Sequence, residues 1–413
     1  MLPASIGCSF GKCPGIALAG FGILYKDMAI SPKRILIVAG EASADRYGAR
    51  LVERLRRLHG ADALEFYGTG GDEMLKAGVR LLGHVRTLAH IGVKESLSGF
   101  RTYYQTFQRI LNDSGTQPPR LAILLDFPDF NLRLAKKMKR MGVRTVYYIS
   151  PQIWAWRSGR IRAIRAYVDK MLVILPFEEE YYRIRGVEVE FVGHPLLEDF
   201  APNYGRSAFL NGLRLDPSRR TVAMLPGSRR REIDYILPAL VRAAQHILAE
   251  VPAQFLISAA PTVGPAHIQH ILKELLRGDP NEGSFHVLTH DARDILANAD
   301  FAFVKSGTSS LEAALVGTPF LITYKISPLS WVIGSLLIRT PVKGLVNLIA
   351  GEKIVPELFQ SEAKPEELAR WGLKFLEEPE ASDAMRRRLA GIRELLGARC
   401  ASEMAAAAVS RYL

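Results

Sequence analysis

Cysteine is scarce: the 413-residue chain holds three, Cys8, Cys13 and Cys400. So few, at no regular spacing, exclude a disulfide framework and a zinc knuckle, and a reducing compartment is the default expectation. Long apolar runs are missing too. A membrane-crossing helix needs about 20 apolar residues in a row, and the chain has no such run. The uncharged segment between Lys12 and Lys26 is short, rich in Gly and Pro, and lacks the charged start and small-residue cleavage site of a secretory leader. Residues 1–28 therefore read as a dispensable extension, with Met28 the expected functional start. Gly7 to Lys12 fails the phosphate-loop pattern, and Gly68-Thr69-Gly70-Gly71 fails the dinucleotide fingerprint because Glu stands at position 73. A dehydrogenase is thereby disfavoured. No Asp-x-Asp pair occurs, so a departing diphosphate would be met by cations and backbone N–H groups, with neither metal nor cofactor expected. His267 and His270 share a helix spacing, but no carboxylate or Cys set completes a metal site around them.

What is present is a globular composition, 48% hydrophobic and 23% charged, with a formal charge of +12. That excess asks for an acidic partner: nucleic acid, a membrane surface or a phosphorylated substrate. Acidic residues are absent from two long stretches. Between Asp129 and Asp169 the basic residues run from Arg133 to Arg165 around Tyr147, Tyr148, Trp154 and Trp156. Between Glu312 and Glu352 the chain is largely apolar, with only Lys325, Arg339 and Lys343 charged. Aromatics among arginines could stack bases; an acid-free apolar stretch suits acyl chains and anionic headgroups, or a core. The stripe Leu97, Phe100, Tyr104, Phe107, Leu111 reads as a core-facing helix side or a membrane-facing patch.

From Arg34 onward, β-rich runs alternate with amphipathic stretches, as in βαβ units of a parallel sheet. Strands are expected at 34–39, 64–67, 120–125, 143–149, 170–175 and 188–192, then at 221–225, 254–258, 285–288, 301–305 and 319–324. Gly193, His194, Pro195, Pro202 and Pro217 break the pattern between the two sets. The expectation is an α/β protein of two Rossmann-like domains facing across a cleft. Residues 29–200 form an acceptor-binding domain, 201–365 a nucleotide-sugar domain, and 366–413 C-terminal helices. Such sheets bind ligands beyond the carboxyl ends of their strands, so the informative residues should follow strands.

They do. After 221–225 comes Pro226-Gly227-Ser228-Arg229-Arg230-Arg231-Glu232, a Gly turn opening a helix, where free N–H groups and the Arg229 fork could meet a diphosphate; three solvated arginines are the plainer alternative. After 301–305 comes Ser306-Gly307-Thr308-Ser309-Ser310, again opening a helix, with small residues and hydroxyls suited to phosphate. Ser309 and Glu312 could instead form a capping box, or Glu312 could accept from a ribose diol. Asp126 ends a strand among apolar neighbours, where desolvation would raise its pKa toward that of a general base, while Asp129 reads as a helix cap. After the first strand, Glu41, Ser43 and Asp45 either cap and complement a helix or line a site.

Taken together, seven motifs in register resemble the lipid-A-disaccharide synthases, inverting glycosyltransferases of the GT-B class. They are Val38 to Asp45, Asp126 to Asn131, Tyr148 to Arg157, Leu175 to Glu178, Val192 to Pro195, Leu225 to Arg229 and Ser306 to Glu312. The resemblance spans Arg34 to Leu413. It implies transfer from UDP-2,3-diacylglucosamine to 2,3-diacylglucosamine 1-phosphate, giving a β-1,6 disaccharide 1-phosphate and UDP without a required metal. It also implies a cytoplasmic enzyme peripheral on the inner membrane of a Gram-negative cell, among anionic lipids, in a homodimer that exchanges C-terminal segments, with no nucleic-acid partner. Asp126 would be the base and Arg229 would stabilise the leaving group. Glu41, Ser43 and Asp45 would line the acceptor side, and Gly227, Ser228, Ser306 to Ser310, Glu312 and Asn347 would bind substrate. Ala44 replaces a common Gly, and the usual Pro before Asn347 is missing. Alternatives are another UDP-sugar enzyme, such as a peptidoglycan N-acetylglucosamine transferase or a 2-epimerase, and a basic nucleic-acid-binding protein.

Overall fold

The computed structural model describes residues 32–88, 97–155, 157–327, 342–397 and 400–413. The expectations for residues 1–28, Trp156 and Arg339, and for the side chains of Leu97 and Phe100, lie outside the described residues.

The first sheet has seven strands: β1 (Lys33–Ala39), β2 (Leu64–Gly70), β3 (Arg80–His84), β4 (Leu121–Leu125), β5 (Arg144–Tyr148), β6 (Lys170–Val173) and β7 (Val189–Phe191). Their order is β3-β2-β1-β4-β5-β6-β7, and every pairing is parallel. The second has six: β8 (Arg220–Leu225), β9 (Ala253–Ser258), β10 (Phe285–Leu288), β11 (Phe301–Lys305), β12 (Phe320–Tyr324) and β13 (Glu357–Phe359), ordered β10-β9-β8-β11-β12-β13 and again all parallel. Strands buried on both faces read as continuous apolar runs, as in Ile35 to Ala39 and Leu121 to Leu125. The edge strands β3 and β13 escape sequence detection: β3 is only partly buried, and β13 is three residues long.

Strand order reverses beside β1 and β4 in one sheet and beside β8 and β11 in the other. A crevice opens at such switch points, just past the carboxyl ends. The turns after β1, β4, β8 and β11 carry four of the motifs singled out above, so the topology gathers them at the two crevices.

The tail is not one unit. The helices Pro365–Glu377 and Pro379–Leu395 bury Leu368, Phe375, Met385 and Leu389 in the core of the second sheet. The chain then crosses back, and the helix Ala401–Ser410 buries Ala405, Ala406 and Val409 in the core of the first. The C-terminal helices expected at 366–413 thus divide between the two cores, and the small alanine face of the last helix lets it sit close to the helix Ala42–His59. The two crossings touch. The N–H of His194 donates to the Leu396 carbonyl at 3.0 Å, and a Cβ on Gly397 would come within 3.3 Å of Gly193 Cα.

Around β1 and β4 the packing is tight. A Cβ at Gly40 would lie 2.3 Å from the Phe127 ring, and Phe127 stacks on Phe130 at 5.3 Å. Gly40→Ala is therefore expected to lower stability by about 1–3 kcal/mol, the usual penalty for overpacking, and to displace the Asp126 turn. Urea unfolding together with turnover of the folded fraction checks it.

Candidate active site

A cavity of about 670 Å³ opens between the two sheets. The second sheet supplies Gly227 and Ser228 after β8, Ser258 to Pro261 after β9, Thr289 to Arg293 after β10, and Lys305, Gly307, Thr308, Ser309 and Glu312 after β11. The first sheet contributes Arg46, Tyr47 and Arg50, one face of the helix after β1, and the linker adds Pro195 and Leu196. A larger cavity of about 820 Å³ lies against the same helix, away from the glycine turns, where Arg54 reaches Ser402 and Cys400 of the returning crossing.

The glycine turns have the local form that anion binding requires. Arg229, extended, precedes the helix Arg230–Glu250, and Gly307 precedes Thr308–Val316; neither helix start is capped by a side chain. Their first N–H groups are thus not taken by a capping side chain, and the dipole adds positive potential there. Ser310, expected at the phosphate, is instead fully buried, its hydroxyl donating to the Gly307 carbonyl at 2.6 Å. Ser306 extends the sheet through its N–H to Thr323 and does not line the cavity.

Glu312 takes no part in a capping box. Its carboxyl faces the cavity, where burial, then the neighbouring Asp291 charge, push its pKa up to about 7 against the pull of Arg293 and Arg46. Arg46 belongs to the opposite sheet, so this cluster spans the cleft. Arg229 does not line the cavity: its side chain is 71% exposed and pairs with Glu232 at 3.3 Å.

Asp126 sits at the end of β4 in a left-handed conformation, φ 44°, followed by Phe127 at φ 47°. Two consecutive non-glycine residues in that region carry strain, held here by the bonds of the Asn131 amide and the Tyr147 hydroxyl to the Asp126 carbonyl. Burial, then the nearby charge of Glu41, raise the Asp126 pKa to about 6. Asp126 feels the Glu41 charge but does not line the cavity, whereas the helix that starts after Glu41 carries Arg46, Tyr47 and Arg50 into it. Glu41 rather than Ser43 occupies the cap position of that helix, and neither residue lines the cavity. Asp129 does not cap its helix either; Phe127 holds that position, and Asp129 pairs with Arg157 and Arg160.

Two expected substrate ligands have other work. Asp45 is buried and accepts from the N–H groups of Gly71, Glu73 and Met74, capping the short helix Asp72–Lys76. Asn347 is fully buried, its amide donating to Val355 and Glu357 and its oxygen accepting from the N–H groups of Ile354 and Val355. Asn347 has no bonding capacity left for a substrate, and both oxygens of buried Asp45 are engaged by backbone. Arg46, Tyr47, Arg50, Asp291, Arg293 and Lys305 were not singled out from sequence; the rule that ligands gather past strand ends would have flagged Asp291, Arg293 and Lys305. Among the described residues no three His, Cys, Asp or Glu side chains converge as metal ligands; His267 pairs with Asp234 and His270 with Glu274. Tyr147 and Tyr148 are fully buried and Trp154 packs edge-on against Phe177, so these three rings of the aromatic cluster take part in packing.

Two parallel-sheet domains with a cleft at their facing carboxyl ends define the GT-B class. Solved structures with this architecture include the calicheamicin glycosyltransferase CalG4, at TM-score 0.57 and 16% identity over 92% of this chain and 98% of that one. The UDP-GlcNAc 2-epimerase from Neisseria meningitidis, bound to UDP-GlcNAc, aligns at TM-score 0.62 and 10% identity over 92% of this chain and 100% of that one. Sequence is more specific. Residues 35–409 match the family model for lipid-A-disaccharide synthetase. The lipid-A-disaccharide synthase of Geobacter metallireducens is 40% identical over 92% of this chain and 97% of its own length, and that of Syntrophus aciditrophicus 41% over 91% and 97%. The chain belongs to the lipid-A-disaccharide synthase family, glycosyltransferases of lipid A biosynthesis.

Asn347→Ala should cost about 1–3 kcal/mol, because it leaves two buried N–H groups without acceptors. Thermal or urea melting measures that loss.

Proposed function

We propose that the enzyme transfers 2,3-diacylglucosamine from UDP to the 6-hydroxyl of 2,3-diacylglucosamine 1-phosphate, with inversion, releasing UDP and the β-1,6-linked disaccharide 1-phosphate. The observation that carries this reading is the pairing of a nucleotide-sized cavity, rimmed by two uncapped helix starts, with a carboxyl poised for proton transfer at the facing switch point. Asp126 takes the proton of the acceptor hydroxyl as oxygen attacks the anomeric carbon from the face opposite UDP. A base with pKa about 6 is ionised at neutral pH yet still basic enough to accept that proton. The N–H groups at Gly227, Ser228 and Gly307 to Ser309 receive the diphosphate as its charge grows, so that no metal is required. Glu312 accepts from the ribose diol, a role that its position on the cavity wall supports.

No described helix is long and apolar enough to cross a membrane. We place the enzyme on the anionic cytoplasmic face of the inner membrane, where both acylated substrates reside. In support, the helices Pro128–Arg140 and Ile161–Tyr167 display Arg133, Lys136, Lys137, Arg140, Arg162 and Arg165 to solvent. The helix Ala401–Ser410, docked after a crossing, is the segment that a homodimer would exchange.

Asp126→Asn is expected to abolish transfer while leaving UDP binding intact, and wild-type kcat/KM should rise with pH and level off above about 6, as the carboxyl loses its proton. Near-normal turnover by the variant, or indifference to the acyl chains when acylated and unacylated UDP-glucosamine are compared, would overturn this reading. Co-sedimentation with vesicles containing anionic phospholipid should weaken with salt, as the screening length falls from about 10 Å at 0.1 M to about 3 Å at 1 M. Binding that ignores both salt and anionic lipid would remove the electrostatic docking.

A further inference from the structure

We propose that Lys305, steadied by the buried carboxylate of Glu232, is the side-chain cation that receives the donor's diphosphate. The proposal deepens the UDP-sugar reading above and rests on it. Lys305 is the last residue of β11 and lines the cavity between the two glycine turns. Its side chain is 20% exposed, against 71% for Arg229. Its ammonium lies 3.3 Å from Glu232 Oε1, which Arg229 also contacts at 3.3 Å. Nζ also sits 5.3 Å from the centre of the Tyr324 ring, and a Cβ on Gly307 would be 3.6 Å from it. The cation therefore stands directly beside the second turn.

Glu232 explains why a cation is needed there. It is 5% exposed, and its Oε2 has no hydrogen-bond partner. A Cβ on Gly227 would lie 2.8 Å from that oxygen, so the carboxylate backs directly onto the first turn. A buried negative charge behind an anion-binding turn would repel the diphosphate unless it is neutralised. Two cations share its other oxygen, and of these only Lys305 faces the cavity. An ammonium has three donors on a flexible stem, enough to keep Glu232 and engage a phosphate oxygen together. Glu232 thus acts as a positioning residue, working through Lys305.

The test compares UDP with uridine by titration calorimetry on Lys305→Met, which keeps the apolar stem. Losing one charge-assisted contact should weaken UDP by about 10- to 100-fold and leave uridine within about twofold. Unchanged UDP affinity, or equal loss for UDP and uridine, would overturn the proposal. If burying an incompletely paired Glu232 prevents the single variant from folding, Lys305→Met combined with Glu232→Gln removes that charge, and the same selective loss of UDP is required of it. A wild-type chain that binds UDP no better than uridine would remove the donor reading itself, a result distinct from selective loss in the variant.

Discussion

The site depends on a backbone constraint: the chain passes between the two sheets twice, and the two passages lie against each other. Gly193 and Gly397 both adopt left-handed conformations, at φ 85° and 95°, and the hydrogen bond from His194 to Leu396 joins the strands of this double crossing. Both sheets are all-parallel, so each has one end to which every strand points. Joining them here turns those two ends toward each other. A cleft lined by loops from four strands of the second sheet and one helix of the first is the geometric result.

Much of this was legible in the sequence because buried parallel strands are continuous apolar runs, and because Gly-rich turns follow them. Eleven strands stand where apolar runs predicted them, and the turns at Gly227 and Gly307 stand at the switch point of the second sheet. What sequence could not supply was where a polar side chain spends its hydrogen bonds. Asp45 and Asn347 look like ligands in a motif, yet both are engaged by groups brought close only by folding. Lys305 shows the reverse. In sequence it is the last residue of a strand run, and its significance comes from Glu232, more than seventy positions earlier in the chain and adjacent only across the sheet.

A second buried carboxylate organises the other wall. Glu178 accepts from the Ser150 hydroxyl, the Trp154 indole N–H and the Leu175 N–H, tying together the turns that follow β5 and β6. The rings so fixed, Trp154 and Phe177, meet edge-on at 4.9 Å and pack against the core of the second sheet. The motifs around Ser150 and Leu175 thus help to unite the domains, although in sequence they look as specific as those that line the cleft.

Glu178 also ties the fold to the proton concentration around it. Complete burial outweighs its three donors and lifts its pKa from 4.5 to about 7, and Glu312 is lifted likewise. Between those values the folded chain holds protons that the unfolded chain has released, so folding in this window takes protons up from the buffer. Their stabilising contribution is complete below the unfolded pKa and is lost as pH climbs through about 7. Near pH 7 the domain interface and the cavity between the sheets thus begin to carry charge together.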